Sequence, residues 1–334
     1  MKRTKAEYKS TMIKIGAILL IFVGLLEIFM SFYGIVASSL EIFLSEKTAA
    51  VISSLLYDVA YLAAFMLPAI FGKVFFKNKG MQSMKLQPKL TFDTFAFIFA
   101  GVACVYAFSF INSAMVEIIF GSYSPEEMFK YAPVYSEDYS VILQFITIAL
   151  VPAFCEEFLF RGIILSNLAP YGKSTAIVIS SVCFGLMHSN FQQFLYATVA
   201  GIILGLVYVI TDSIWASTII HMINNAMSIL QLVIFERMEE EHAVLLWVTI
   251  DCLTIVLGII SAVYLLKKYR SKPKEEPKGL FQKPLARSYQ NIDSAFCGSS
   301  ALDAKDAVRS FFCPTIIIFV VYSIFGAVAR LFVI

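Results

Sequence analysis

The chain has 334 residues, of which 59% are hydrophobic and only 15% charged, with a net charge of +2 and a mean hydropathy of +0.79. Soluble domains carry about 25% charged residues, so this composition excludes an ordinary soluble enzyme and predicts an all-α, polytopic transmembrane helical bundle surrounded by lipid bilayer. The small net charge gives no basis for a nucleic-acid partner, and the six cysteines have no redox or zinc-knuckle spacing and read as small apolar core residues.

In chain order, residues 1–10 are basic and precede an apolar stretch at 11–37, longer than the core of a cleavable signal peptide and therefore a retained first span. A second span is predicted at 50–76. The connector after it carries Lys77, Lys79, Lys85 and Lys89 with no acid, which places it in the cytoplasm by the positive-inside rule. A third span at 91–120 leads into a loop with Glu126, Glu127, Glu137 and Asp138 against a single Lys130, expected on the outer side. Residues 11–140 thus form an N-terminal transmembrane region. Spans four to seven follow at 141–168, 174–188, 191–210 and 214–235, and together make the core at 141–235. The turn signal Pro170-Tyr171-Gly172-Lys173 separates the first two. Residues 236–266 supply an acidic outer loop and an eighth span at 243–266. Lys267, Lys268 and Arg270 then open a polar cytoplasmic segment at 267–313. The run at 314–334 is apolar apart from Arg330 and long enough to be a ninth span. The expectation is eight core spans and a C-terminal ninth, with the N-terminus cytoplasmic.

Chemistry concentrates in span four. Glu156, Glu157 and Arg161 lie in an otherwise apolar run, where each charge costs roughly 2.5–3.5 kcal/mol at a helix centre. Glu157 and Arg161 stand four apart with the acid N-terminal, so they can pair on one face. Glu156 projects elsewhere and is left without that partner, which marks it as a candidate site residue. Two of the three histidines fall in later spans: His188 closes span five, four residues after Phe184, and His221 lies in span seven, four residues before Asn225. A carboxylate, two imidazoles and a carboxamide form a coherent set for hydrolysing an amide bond. Glu156 would take a proton from water, His188 and His221 would hold that water directly or through a divalent metal, and Asn225 would donate to the oxyanion. Glu157 and Arg161 would fix the Glu156 helix, and Phe184 would wall the site.

The ordered triple Glu156-Glu157-x-x-x-Arg161, Phe184-x-x-x-His188 and His221-x-x-x-Asn225, each on its own hydrophobic segment, resembles the three motifs of the CPBP intramembrane metalloprotease family. That family groups type II CAAX prenyl endopeptidases with bacteriocin-processing and self-immunity (Abi) proteins. The resemblance covers residues 141–235 and implies a membrane endopeptidase in which Glu156, His188 and His221 form the catalytic centre, with Asn225 assisting. A zinc ion held by those three, or a metal-free glutamate mechanism, are the two options it leaves.

Two other functions compete. Glu27, Asp58, Asn112, Glu117 and Asp251 also lie in apolar context, as in an ion-coupled transporter, but no internal repeat accompanies them. Glu27, Asp58 and Asp251 are expected to snorkel from near span ends. The Gly201-x-x-x-Gly205 spacing predicts close helix packing, and Gln192, Gln193 and Tyr196 an entrance or an interfacial anchor. A non-catalytic membrane partner or immunity protein of the same fold is the second competitor. The abundance of Phe, Ile and Lys suggests a bacterial plasma membrane, and with it a bacteriocin, pheromone or leader peptide as substrate in preference to a prenylated tail.

Overall fold

The computed structural model describes residues 4–76, 85–86, 91–120, 141–269 and 304–331. The predicted outer loop at 121–140, most of the lysine-rich connector and most of the polar segment at 267–313 lie outside the described residues. The helices are α1 (Lys5–Phe43), α2 (Glu46–Phe75), α3 (Phe92–Phe120), α4 (Val141–Tyr171), α5 (Lys173–Met187), α6 (Phe191–Thr211), α7 (Ile214–Arg237), α8 (Glu240–Tyr269), α9 (Ala304–Phe311) and α10 (Pro314–Leu331). No strand occurs among the described residues. Seven of these helices are long and apolar enough to cross a membrane. Two expected spans are short: α5 has 15 residues, about 22 Å at 1.5 Å per residue, and α10 has 18.

Burial is inverted relative to a soluble protein. Arg161, Glu156 and Glu157 are buried, while Phe32, Ile42, Ile118, Leu245, Leu266 and Phe325 point outward. Only a hydrocarbon surround makes that arrangement favourable, so the chain is a multi-pass membrane protein. The main core runs from Tyr8, Met12 and Phe22 of α1 through Leu159–Leu165 of α4 to Cys183 and Phe184 of α5 and Phe319 of α10. α4 is therefore the axis around which the neighbours are arranged. α1 packs on α2 and α10, α5 on α6, and α3 on α6, α7 and α8.

Polar contacts tie together ends that an alternating topology puts on one face. Thr11 bonds Tyr171 at 3.0 Å. Lys85 pairs with Asp212 at 3.1 Å, and the Leu86 carbonyl accepts from the Trp215 indole at 2.7 Å. Asp93 accepts from Tyr264, Lys268 and Tyr269. Asn112, toward the opposite face, donates to the Gln192 carbonyl at 3.3 Å.

The expected snorkelling does not occur. Asp251 accepts from Tyr106 at 2.5 Å, Asp58 from Thr147 at 3.1 Å, and Glu27 from Tyr322. Each acid takes a hydrogen bond from a hydroxyl of another helix, which in an apolar medium is a nearer partner than the interface. The Gly201-x-x-x-Gly205 spacing does mark close packing: a Cβ on Gly201 would stand 3.0 Å from Ser181, and one on Gly205 3.2 Å from Ile177.

The α1–α10 crossing depends on Gly16, where a Cβ would overlap the Thr315 side chain and lie 2.9 Å from the Ile316 nitrogen, whereas Gly24 on the same helix has open space. Gly16→Ala should therefore lower thermal stability by about 1–3 kcal/mol through overpacking. Gly24→Ala should be neutral or stabilise by up to about 1 kcal/mol through helix propensity. Melting curves of the detergent-solubilised variants check the opposite signs.

Candidate active site

The site begins with Pro152. Proline has no N–H to give to the carbonyl four residues back and its ring crowds that carbonyl, which here belongs to Ile148. The preceding turns, Phe145–Leu150, widen into a π-helix, and the Ile148 carbonyl accepts instead from the Asn225 side chain of α7 at 3.2 Å. A regular α-helical segment, Val151–Glu157, follows and presents the two glutamates. A second π-helical stretch, Phe158–Leu165, comes after it. π-turns inserted in helices cluster at functional sites because they re-aim side chains.

Glu157 and Arg161 form the expected pair, 2.7 Å apart and almost wholly buried. The guanidinium also donates to the Gly201 carbonyl of α6 at 3.2 Å and lies 4.7 Å over the Phe184 ring. The same Glu157 oxygen stands 3.1 Å from His221 Nδ1, so the imidazole donates its Nδ1 proton there and keeps the Nε2 lone pair. That Nε2 faces Glu156 Oε2 at 3.8 Å. The other Glu156 oxygen accepts from Tyr61 of α2 at 2.5 Å, while Oε2 has no hydrogen-bond partner. Tyr61 is in turn set by an aromatic ladder in which it stacks near Tyr57 and Phe65, and Phe65 meets Phe22 of α1.

His188 ends α5. The turn before that helix is Gly172, at φ 151°, a left-handed backbone that glycine adopts without cost. Glu156 and His188 each lie fifteen residues from this turn region, along α4 and α5 respectively, so the antiparallel hairpin brings them level. His188 Nδ1 bonds the Phe184 carbonyl at 2.9 Å. Both imidazoles stand edge-on to the Phe184 ring, with centroids 5.1 Å away for His188 and 5.7 Å for His221. The residue after His188, Ser189, has φ 46° and is packed under Gly326 of α10, where a Cβ would lie 3.1 Å from its own Cβ. The C-terminal helix thus closes over the His188 turn.

The structure brings together Glu156, Glu157, Arg161, Phe184 and His221, with His188 across the Phe184 ring. Asn225 is engaged differently from the sequence expectation: one of its N–H groups goes to Ile148, and its oxygen accepts from Asn224 at 3.3 Å. Tyr196 donates to Asn224 at 2.5 Å, which makes it part of the site wall. Tyr61 escaped sequence reasoning, although Tyr57, Asp58 and Tyr61 set together in span two are a faint signal of a polar face.

As possible zinc ligands, Glu156 Oε2 and the two Nε2 atoms have suitable chemistry. Yet no group of three His, Cys, Asp or Glu side chains among the described residues stands close enough to hold a metal ion. As they stand, Glu156, His188 and His221 do not form a three-ligand cage.

Residues 138–227 match the family model described as type II CAAX prenyl endopeptidase Rce1-like. The match bears out the resemblance read from the motifs, and the matched stretch contains all three of them, Asn225 included. Tyr61 and α10, which touch the site from outside, lie beyond it. Comparison with curated proteins and with solved structures found no match.

Removing one partner of a buried ion pair leaves the other uncompensated and costs about 3–5 kcal/mol. Arg161→Met should lose that much stability in denaturation of the purified protein. Adding Glu157→Gln should restore a large part, because the double variant has no bare charge.

Proposed function

We propose that the protein is an intramembrane endopeptidase that hydrolyses a peptide bond of a membrane-associated peptide or lipid-modified protein tail. The observation that carries this is the facing pair Glu156 Oε2 and His221 Nε2, 3.8 Å apart, each fixed from behind by Tyr61 and Glu157. A water between them directs one O–H to the carboxylate and one to the imidazole lone pair, which leaves its oxygen free to attack a carbonyl carbon. Glu156 takes the proton as the C–O bond forms, and passes it to the amine nitrogen when the C–N bond breaks. His188 meets the same Phe184 ring as His221. The remaining N–H of Asn225 is the donor for the oxyanion, and holding it on the Ile148 carbonyl sets its place in advance.

In this reaction the water is held by the chain's own groups, Glu156 Oε2 and His221 Nε2. A bound zinc ion would supply Lewis-acid polarisation of that water, with Glu156, His188 and His221 as the residues to hold it. The positive-inside rule places the N-terminus in the cytoplasm, and the composition suits a bacterial plasma membrane. A bacteriocin or leader peptide is a substrate of the same chemical class.

Two measurements follow. Glu156→Gln should fold normally and lower the cleavage rate of a fluorogenic prenylated CAAX peptide by at least ~10²-fold, the low end of general-base contributions. A non-catalytic membrane partner of this fold would tolerate that change. Activity should also survive exhaustive treatment with a strong chelator; loss of cleavage restored by stoichiometric zinc would establish the metal-dependent form instead.

A further inference from the structure

Beside the site lies a second set of buried polar atoms that the reaction does not use. Asp58 of α2 is 8% exposed. Asp58 Oδ2 accepts from Thr147 at 3.1 Å, but Asp58 Oδ1 has no hydrogen-bond partner, and neither does Glu156 Oε2. Tyr57 and Cys155 each lie within electrostatic reach of both Asp58 and Glu156, so the two carboxylates flank one region where α2 meets α4. A buried acceptor left bare costs about 1–3 kcal/mol, and two flanking one seam are incompatible with dry packing. Both are acceptors, so the occupant that satisfies them is a donor small enough to enter a helix seam and able to give two hydrogen bonds. Water has both properties.

We propose that the α2–α4 seam, marked by Asp58 and Glu156, is a water-filled path that delivers the hydrolytic water to Glu156, with Asp58 as the positioning residue that holds the chain of waters. A hydrolase enclosed by hydrocarbon cannot draw water through its lipid-facing sides, so it needs such a route. The functional half of the inference rests on the endopeptidase reading; the hydration of the seam does not.

The test is hydroxyl-radical footprinting of the full chain in lipid nanodiscs, where ordered water generates radicals beside the residues it touches. Cys155 and Cys183 form a matched pair, since both are free, buried thiols with no exposed surface, but only Cys155 adjoins the seam. Cys155 should oxidise at least tenfold faster than Cys183. Asp58→Leu should reduce that ratio severalfold and lower kcat for the prenylated CAAX peptide about tenfold with KM unchanged, and Asp58→Asn, which keeps an acceptor oxygen, should restore most of both. If Asp58→Leu does not fold, Thr147→Val, which removes the hydroxyl that fixes Asp58, reports on the same seam with the same expected direction. Equal oxidation of Cys155 and Cys183, or an Asp58→Leu protein that labels and cleaves like the parent, overturns the proposal. A parent protein with a hydrated seam that cuts neither the prenylated CAAX peptide nor a leader peptide would overturn the endopeptidase reading and leave the water path standing.

Discussion

The buried pair of Glu157 and Arg161 is the interaction on which the site depends. A full positive charge in an apolar interior needs a fixed counter-charge, and Arg161 has one in its own helix a turn away. Its Nη2 and its flat face then recruit the neighbours: the Gly201 carbonyl of α6 and the ring of Phe184 on α5. Glu157 recruits α7 through His221. One ion pair therefore registers four helices against each other, and the imidazole is oriented as a consequence of that registration. Gly201 serves twice, since its missing side chain lets α5 approach while its carbonyl receives the arginine.

Backbone chemistry supplies the second constraint. Pro152 breaks the hydrogen-bond ladder of α4 just before the glutamates, and the freed Ile148 carbonyl becomes the anchor for Asn225. The two π-helical stretches on either side of Val151–Glu157 are the local cost of presenting two carboxylates inward from one helix. Pairs of interactions of this kind, one along α4 and one across to α7, are what hold Glu156 and His221 face to face.

The sequence made much of this legible, and its limits have physical reasons. Glu157 and Arg161 could be paired from their spacing because i, i+4 geometry is local. The motif histidines stood out because ionisable groups are expensive in hydrocarbon. Tyr61 did not, since its bond to Glu156 joins residues 95 apart in the chain and depends on how α2 leans on α4. The acids Glu27, Asp58 and Asp251 were expected to reach for the interface, but each meets a hydroxyl on another helix, which only packing can arrange. Asn225 was read as an oxyanion donor from its side-chain chemistry; that Pro152 leaves a carbonyl for it to cap becomes visible only when α4 and α7 are placed together.

The proposed reaction makes Glu156 and His221 a single unit that holds one water. A double-mutant cycle on cleavage of the prenylated peptide tests that claim most directly, with Glu156→Gln and His221→Gln measured singly and together. Residues that act as a unit are strongly non-additive, so the double variant should cleave within a few-fold of the slower single variant. If the two losses instead multiply, as they do for independent sites, the carboxylate and the imidazole do not share a water and the account of the site is wrong.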